Sequence, residues 1–509
     1  MTTQSGPHQP VTEFSVTRRS FIGGTTTAGL GFVFAGAGSL DAFARPHPRP
    51  PAPRSGYGPL IPDPNGLLAL PEGFSYKVVA QTSVTPVRGG GVFPSDPDGM
   101  AVFPWRDRGG SILICNHEIG NAEQVRVPVV DRLTYDENAW GGTTTILVDR
   151  AGNRVESYTS VAGTDNNCAG GITPWNTWLT CEEVERRAGT VVAPTNDAAR
   201  RTLTKDHGYV FEVDPSSQRA NLNKSPIPLK FLGRYSHEAV AVDPDTHVIY
   251  LTEDAASPNG LYFRWKPPRW FRGEKGALHD LATGKGGDTA GLLQAMSCYA
   301  GDRQVPDLAE ATEVGTTYRV RWIDVPDRDA VQTSIRKQFQ PGQVTHSRKL
   351  EGQWWGDGGA YFVASFARTT DGSVKEHDGQ VWFYDPREKS VTLTTIFGVN
   401  TTPDVEGPFD GPDNITVSPH GGLILAEDGE GLKYLIGVTS EGIAYALARN
   451  DHRAPNGART NGEFAGPTFS RDGKTLFANI YSGLVSVDPN VISGWVLAIT
   501  GPWHKQRRR

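Results

Sequence analysis

Pairs of short apolar runs recur along the chain, and each pair opens on a polar residue able to bind a metal. The first three pairs begin at Asp98, Cys168 and Glu238, a constant spacing of 70 residues. A fixed period of this size is typical of a repeat architecture. Six copies can be followed with some drift, and their opening residues are, in chain order, Asp98, Cys168, Glu238, Glu351, Asp413 and Glu463.

Further strand-like runs lie between these pairs, at residues 143–149, 208–214, 260–265 and 379–385. Most of them start at a glycine and end at an aspartate, which is typical of hairpin strands that stop at a turn. Six units of about four strands predict an all-β fold, a six-bladed β-propeller. One or two β-sandwiches are the alternative.

The period breaks between the third and fourth copies. Residues 266–347 are therefore predicted to be an elaborated insertion over one face of a single propeller domain, residues 60–503, with one short helix over Leu292–Tyr299. Insertions of this kind often cap a site. An insertion without any function is the alternative.

The N-terminus predicts export. Thr17-Arg18-Arg19-Ser20-Phe21-Ile22 has the form of a twin-arginine signal, and an apolar stretch and Ala42-Phe43-Ala44 follow it. We expect residues 1–44 to be a signal peptide for the twin-arginine machinery, and residues 45–59 to be a Pro-rich linker. The mature protein would be periplasmic or secreted and would have no membrane span; an uncleaved anchor is the alternative.

Composition adds little about partners. The chain has 509 residues, 59 of them glycine and 37 proline, and a formal net charge of −6. It has no basic stripe with interleaved aromatic residues, so no nucleic-acid partner is expected. The basic tail 504–509 is predicted to be a solvated end. We expect a monomer.

The opening residues of the six copies predict a metal centre. In a propeller, the innermost strand of each blade faces the central channel, so these residues would form a ring of five carboxylates and one thiol. Such a ring repels itself unless cations hold it. Glu182, at the end of the second copy, is a further candidate ligand. Carboxylates favour hard cations, and the thiolate of Cys168 favours iron in addition. A buried apolar Cys168 and turn-forming Asp98 and Asp413 are the alternatives.

A cluster of metal ions is suited to phosphoryl transfer. Arg234, Arg348 and Lys349 lie just before two of the ring residues and are predicted to contact a phosphate group. His237 stands next to Glu238 and could bind a metal or act as a general acid or base. A hydrogen-bonded structural histidine is the alternative.

Four segments resemble PhoX-type alkaline phosphatases, in particular their compact branch: Asn167-Cys-Ala-Gly-Gly-Ile-Thr-Pro-Trp175, Gly233–Ala239, Phe409–Asn414 and Phe469–Gly473. The resemblance implies a six-bladed propeller exported by the twin-arginine route, with a centre of Fe³⁺ and Ca²⁺ that hydrolyses phosphate monoesters. It also implies that Cys168 and Glu238 are iron ligands and that Glu351 is a carboxylate ligand near calcium. The family's phosphate-binding arginine falls on Lys349, which keeps the charge but lacks the guanidinium fork.

The sequence therefore predicts an exported, metal-dependent phosphatase that acts on a phosphorylated small molecule. Two alternatives stay open. One is a calcium-dependent propeller hydrolase, either a lactonase or a phytase-like enzyme. The other is a non-catalytic propeller that binds a partner and holds calcium for stability.

Overall fold

A computed structural model describes residues 56–503, apart from 64–65, 106–107, 121–124, 193–199, 223–225, 285–289, 367–378, 399, 401–404, 408, 430, 440–441, 454–456, 458, 461 and 482–493. The predicted signal peptide, most of the predicted linker and the basic tail lie outside the described residues.

Strands dominate the structure, because short runs of β-branched and aliphatic residues are punctuated by glycine turns. The strands are β1 (Leu60–Pro62), β2 (Leu68–Pro71), β3 (Ser75–Gln81), β4 (Pro97–Trp105), β5 (Gly110–His117), β6 (Gly141–Val148), β7 (Arg154–Thr164), β8 (Asn167–Ile172), β9 (Trp178–Glu182), β10 (Val191–Val192), β11 (Arg201–Thr202), β12 (Val210–Val213), β13 (His237–Val242), β14 (Ile249–Glu253), β15 (Gly260–Lys266), β16 (Leu292–Ala300), β17 (Arg303–Val305), β18 (Thr317–Asp324), β19 (His346–Ser347), β20 (Leu350–Gly356), β21 (Gly359–Ala364), β22 (Gly379–Asp385), β23 (Ser390–Phe397), β24 (Pro412–Val417), β25 (Leu423–Glu427), β26 (Tyr434–Val438), β27 (Ala444–Asn450), β28 (Phe464–Phe469), β29 (Thr475–Ile480) and β30 (Trp495–Thr500). Two short α-helices, α1 (Gln218–Leu222) and α2 (Ala277–Ala282), and 3-10 turns at Lys230–Leu232, Leu308–Glu310 and Ile335–Lys337 complete the described elements.

Successive strands pair antiparallel into sheets that follow the chain. The sheet orders are β4-β5-β6-β7, β8-β9-β12, β13-β14-β15-β16, β20-β21-β22-β23, β24-β25-β26-β27 with β2 and β1 added, and β28-β29-β30 with β3 added. The last sheet is completed from the other end of the chain, because β3 pairs with β30 in the register Ser75↔Thr500.

The first strand of each sheet lies against the first strand of the next. β4 contacts β8, β8 contacts β13, β13 contacts β20, β20 contacts β24, β24 contacts β28, and β28 contacts β4. These six inner strands thus form a closed ring with the remaining strands outside it. The predicted all-β, propeller-like architecture is confirmed.

The prediction for residues 266–347 was wrong in part. Leu292–Tyr299 is not helical, because it lies within β16, which pairs with β15 and β18. Its side chains are buried on both faces, so its apolar run carries no helical period. β18 also pairs with β23, so the insertion joins two neighbouring sheets into one.

The core lies between the sheets. An aromatic layer between the third and fourth sheets is an example, with Tyr262 stacked on Phe362 at 4.3 Å between ring centroids and Tyr250 beside Tyr384 at 5.2 Å. No helix within the described residues has the length and apolar character needed to cross a bilayer.

Candidate metal centre

Each of the six inner strands carries a β-bulge. In β4, the register with β5 moves from Pro97↔His117 to Met100↔Cys115, so two residues of β4 oppose one residue of β5. The same one-residue excess follows Asn167, His237, Leu350, Pro412 and Ala465 in the other inner strands. A bulge bends a strand and changes the direction of its side chains. In five strands the first bulged residue is the residue that the sequence pattern places in the ring.

The bulges bring these side chains together at one mouth of the channel. A ligand atom from each of Cys168, Glu183 and Glu238 lies within 4.8 Å of the other two. The same holds for Glu238, Glu351 and Asp413. Glu238 belongs to both groups, so two cation sites would be adjacent and would share a carboxylate.

The remaining ring residues approach the same mouth. Asp98 lies close enough to Glu118 and Asp413 for these two carboxyls to raise its pKa. Asp428 likewise raises the pKa of Glu463. However, Glu463 precedes β28 and is not the bulged residue of that strand. Gly466 occupies the bulge, and its backbone lies against the carbonyl of Asp98.

Burial and mutual repulsion make ionisation of the carboxyl groups in this ring unfavourable. Burial, followed by neighbouring carboxylates, holds the pKa of Asp98 and Glu238 well above the ordinary range. Burial and Asp428 raise the pKa of Asp413 to about 7. Burial and the charge of Glu238 also raise the pKa of the Cys168 thiol. Cations at this mouth would stabilise the ionised carboxylates and thiolate and so oppose these pKa shifts.

The ring fits metal ions by its donor set and by one unsatisfied atom. Asp98 is 6% exposed, and its Oδ1 has no hydrogen-bond partner among the described residues. A buried carboxylate oxygen without a partner is rare and is expected where an ion binds. One group offers a thiol and two carboxylates, and the other offers carboxylates alone.

Two predicted phosphate-binding residues lie at this mouth. Lys349 has a left-handed backbone (φ 46°), and its Nζ lies 3.1 Å from Glu351 Oε1 and 3.4 Å from Asp254 Oδ2. The carboxylate of Glu351 is the main cause that raises the pKa of Lys349, so the side chain is an ammonium ion. Its Nζ and the Arg348 guanidinium carbon lie 5.2 Å and 5.4 Å from the ring centroid of Phe366.

The structure places Arg234 and His237 elsewhere. Arg234 donates to the carbonyls of Asp329 and Ala330 in the insertion, at 3.2 Å and 3.0 Å, and pairs with Glu185. His237 Nε2 lies 3.1 Å from the carbonyl of Gly233, and burial lowers the pKa of His237 to about 3. Arg234 therefore contacts the insertion, and burial favours the neutral form of His237.

Glu182 is likewise not placed among the ligands. Its carboxylate accepts hydrogen bonds from the backbone N–H groups of Asp165, Gly208 and Tyr209 at 2.8–3.0 Å, and lies 2.6 Å from His207 Nδ1. These partners occupy both oxygens. Successive side chains point to opposite sides of a strand end, so the next residue, Glu183, faces the mouth.

Glu118, Glu183, Asp254 and Asp428 were missed as individual ligand candidates. Each is the residue after the second strand of its unit, and Glu118, Glu183 and Asp428 interact with ring residues as described above. The signal in the sequence is a pair of polar residues at that strand end, of which the second faces the mouth. Asn166, with a left-handed φ of 56°, donates to Glu118 Oε1 at 2.8 Å and lies 3.4 Å from Glu183 Oε2.

Small residues let the inner strands approach one another closely beneath the ring, so the channel is narrow there. Gly99, Ala169, Ala239 and Gly352 line a space of about 20 Å³, enough for about one water molecule. A Cβ on Gly99 would lie 2.5 Å from Ala169 Cα, and one on Gly352 would lie 2.7 Å from Asn414 Cα. The channel is therefore nearly closed on this side of the ring.

The chain is similar to known phosphatases in sequence and fold. Its sequence matches the family Alkaline phosphatase PhoX over residues 55–158 and 152–483. The structure of Pseudomonas fluorescens PhoX in complex with vanadate, a transition state analogue, aligns with a TM-score of 0.62 and 18% identity, over 86% of this chain and 96% of that chain. No curated protein sequence matches the chain.

Two other solved structures align less well. The gluconolactonase XC5397 from Xanthomonas campestris has a TM-score of 0.35 at 13% identity, over 88% of this chain and 99% of its own. The pyranose dehydrogenase PQQ domain from Coprinopsis cinerea has a TM-score of 0.34 at 10% identity, over 86% and 98%. The family match spans most of the chain, includes the ring residues and confirms the resemblance seen in the sequence. The chain therefore belongs to the alkaline phosphatase PhoX family and is a phosphoric monoester hydrolase.

Proposed function

We propose that this protein hydrolyses phosphate monoesters of small molecules at a multi-metal centre in the channel mouth of a six-bladed propeller. The observation that carries the proposal is the pair of adjacent ligand groups that share Glu238. Two cations held side by side can bind the oxygens of one phosphate group.

The donor chemistry of the two groups differs, and this supports two kinds of metal. The group with Cys168 suits Fe³⁺, and the group of Glu238, Glu351 and Asp413 suits Ca²⁺, which binds oxygen alone. When bound, such ions neutralise the phosphate charge and lower the pKa of water.

The protein's own side chains would position the substrate. The Lys349 ammonium stands beside Glu351 and Asp254, so a phosphate oxygen entering the mouth would meet a fixed positive charge. Arg348 directly precedes Lys349 in the chain and is the second candidate for phosphate binding. A lysine offers a point charge and not a planar fork, so this enzyme would orient the phosphate mainly through its metals.

We further propose that the protein is exported by the twin-arginine machinery and acts as a monomer in the periplasm or outside the cell. The support is the Thr17–Ile22 segment with the cleavage pattern at 42–44. The twin-arginine route carries folded proteins, which suits a centre that must be loaded before export.

The test is activity on a chromogenic phosphate monoester, with metal analysis of the same samples. Glu238→Ala should lose at least ~100-fold in kcat/KM, because both metal groups lose a ligand. Glu388→Ala, on an exposed turn between β22 and β23, is the matched control and should keep wild-type activity. Full activity in a folded Glu238→Ala protein would refute the proposal.

Spectroscopy separates the alternatives. Protein that contains iron should show a visible absorption band that is lost in Cys168→Ser. A colourless protein that holds only calcium and cleaves a lactone, but no phosphate ester, would favour the lactonase alternative.

A further inference from the structure

The bulge that presents Cys168 interrupts the ladder between β8 and β9 at two residues, Cys168 and Ala169. Between the pairs Asn167↔Glu182 and Gly170↔Thr180, both Cys168 and Ala169 oppose the single residue Cys181. A ladder interrupted in this way cannot satisfy every buried carbonyl, and buried carbonyls need donors.

One side chain from the neighbouring sheet supplies both donors. Asn116 lies on β5 and is fully buried. Its Nδ2 donates to the carbonyl of Cys168 at 2.9 Å and to that of Ala169 at 2.7 Å. Both N–H groups of the Asn116 amide therefore donate to carbonyls of the bulge.

The other end of the amide is fixed as firmly. Asn116 Oδ1 accepts from Trp178 Nε1 at 2.9 Å and from Thr180 Oγ1 at 3.0 Å, and both donors lie on β9. With four partners, the amide plane cannot rotate without breaking hydrogen bonds in a buried site. Asn116 thus links the bulge of β8 to β9, the strand that pairs with β8, and to β5 in the adjacent sheet.

The same device recurs around the ring. Gln353 Nε2 donates to the carbonyl of Ala239, in the bulge that carries Glu238, at 2.7 Å, and Asn479 Nδ2 donates to the carbonyl of Asp98. We propose that Asn116 is a positioning residue, which holds the Cys168 backbone so that the thiol faces Glu183 and Glu238. This inference rests on the proposed function only where it concerns bound metal.

The test compares two buried amides with similar partners. Asn116→Asp keeps the acceptor for Trp178 and Thr180 but removes both N–H donors. The control is Gln380→Glu on β22, where Nε2 donates to the carbonyl of Ala311 at 2.7 Å and Oε1 accepts from Trp382 Nε1 at 3.0 Å. Both variants should lose similar thermal stability. Should Asn116→Asp not fold, Asn116→Ser makes the same comparison, because it also removes both amide N–H donors and adds no buried charge.

The first readout is alkylation of Cys168 in chelator-treated full-length protein, followed by peptide mass mapping. It should be at least ~10-fold faster in Asn116→Asp than in wild type, and unchanged in Gln380→Glu. The second readout is the affinity of the protein for iron. It should fall ~10–100-fold in Asn116→Asp alone, and the visible band should shift. The third is kinetic: kcat should fall more than KM rises.

Wild-type alkylation and iron retention in a folded Asn116→Asp protein would overturn the inference. Equal effects in Gln380→Glu would also overturn it, because the loss would then be one of general stability. A wild-type protein that binds no iron would refute the proposed metals, while the alkylation rates would still decide whether Asn116 positions the thiol.

Discussion

Neighbouring acids at one strand end have different partners in this protein. Glu182, Glu253 and Glu427 each accept hydrogen bonds from backbone N–H groups of the following strand. The residues that follow them, Glu183, Asp254 and Asp428, contact the ring or its lysine. The first acid of each pair thus stabilises the sheet, and the second is part of the candidate metal centre or contacts it.

This division predicts opposite effects of two adjacent substitutions. Glu182→Gln should lower the free energy of unfolding by about 3 kcal/mol, because it removes the charge that His207 and three buried N–H groups require. Glu183→Gln should leave stability within about 1 kcal/mol but reduce metal content and kcat/KM at least ~10-fold. Urea unfolding and metal analysis check both variants. A stable Glu182→Gln protein without activity would contradict the assignment.

His207 predicts a pH dependence of stability. Burial alone would lower the pKa of His207, but the carboxylates of Glu182 and Asp136 outweigh it and raise the pKa from 6.5 to about 10. A raised histidine pKa contributes stability that is complete below pH 6.5 and is lost as the pH rises through 10. His207→Gln should therefore be less stable by about 3 kcal/mol near neutral pH.

The measurement is Tm from pH 6 to pH 10.5 for both proteins. The wild-type Tm should fall across this range more steeply than that of His207→Gln, and the two curves should converge at the alkaline end. Parallel curves would show that His207 is neutral in the folded protein.

At the scale of the elements, bulges decide which side chains reach the channel. The repeat in the sequence could predict the six inner strands and five of the ring residues, because apolar runs and turns are local signals. It could not predict the bulges, since a bulge depends on the register of one strand against its partner. For the same reason the sequence pattern indicates Glu182 in place of Glu183, and gives Glu463 as the opening residue of the sixth copy although the bulge of β28 follows Ala465.

The close approach of inner strands at the bulges predicts the effect of one added methyl group. In Gly99→Ala, the Cβ would lie 2.5 Å from Ala169 Cα and 2.7 Å from the Cys168 carbonyl oxygen. Because backbone would have to move, the free energy of unfolding should fall by about 1–3 kcal/mol and iron content should fall with it. Gly315→Ala, at φ 91° with open space around it, is the control for backbone strain alone. Unchanged iron content in Gly99→Ala would show that the close approach of Gly99 to Cys168 and Ala169 does not affect the metal centre.

For the whole molecule, the centre joins the six inner strands through charge. Without cations, the acids from different sheets repel one another around one axis. Chelation should therefore lower Tm by at least about 5 °C, since ligands that bind only the folded state stabilise it by an amount that grows with the logarithm of their concentration over Kd. Differential scanning calorimetry with and without chelator checks this, and restored metal should restore Tm. An unchanged Tm after complete metal removal would contradict a structural contribution of the metals.

The pairing of β3 with β30 has a consequence for biosynthesis. The strand that seals the last sheet comes from Ser75–Gln81, but its partner, Trp495–Thr500, follows all the intervening sheets along the chain. The circle of sheets can therefore close only after Trp495–Thr500 has been synthesised. Everything between these two strands has to remain an open arc until that segment is available.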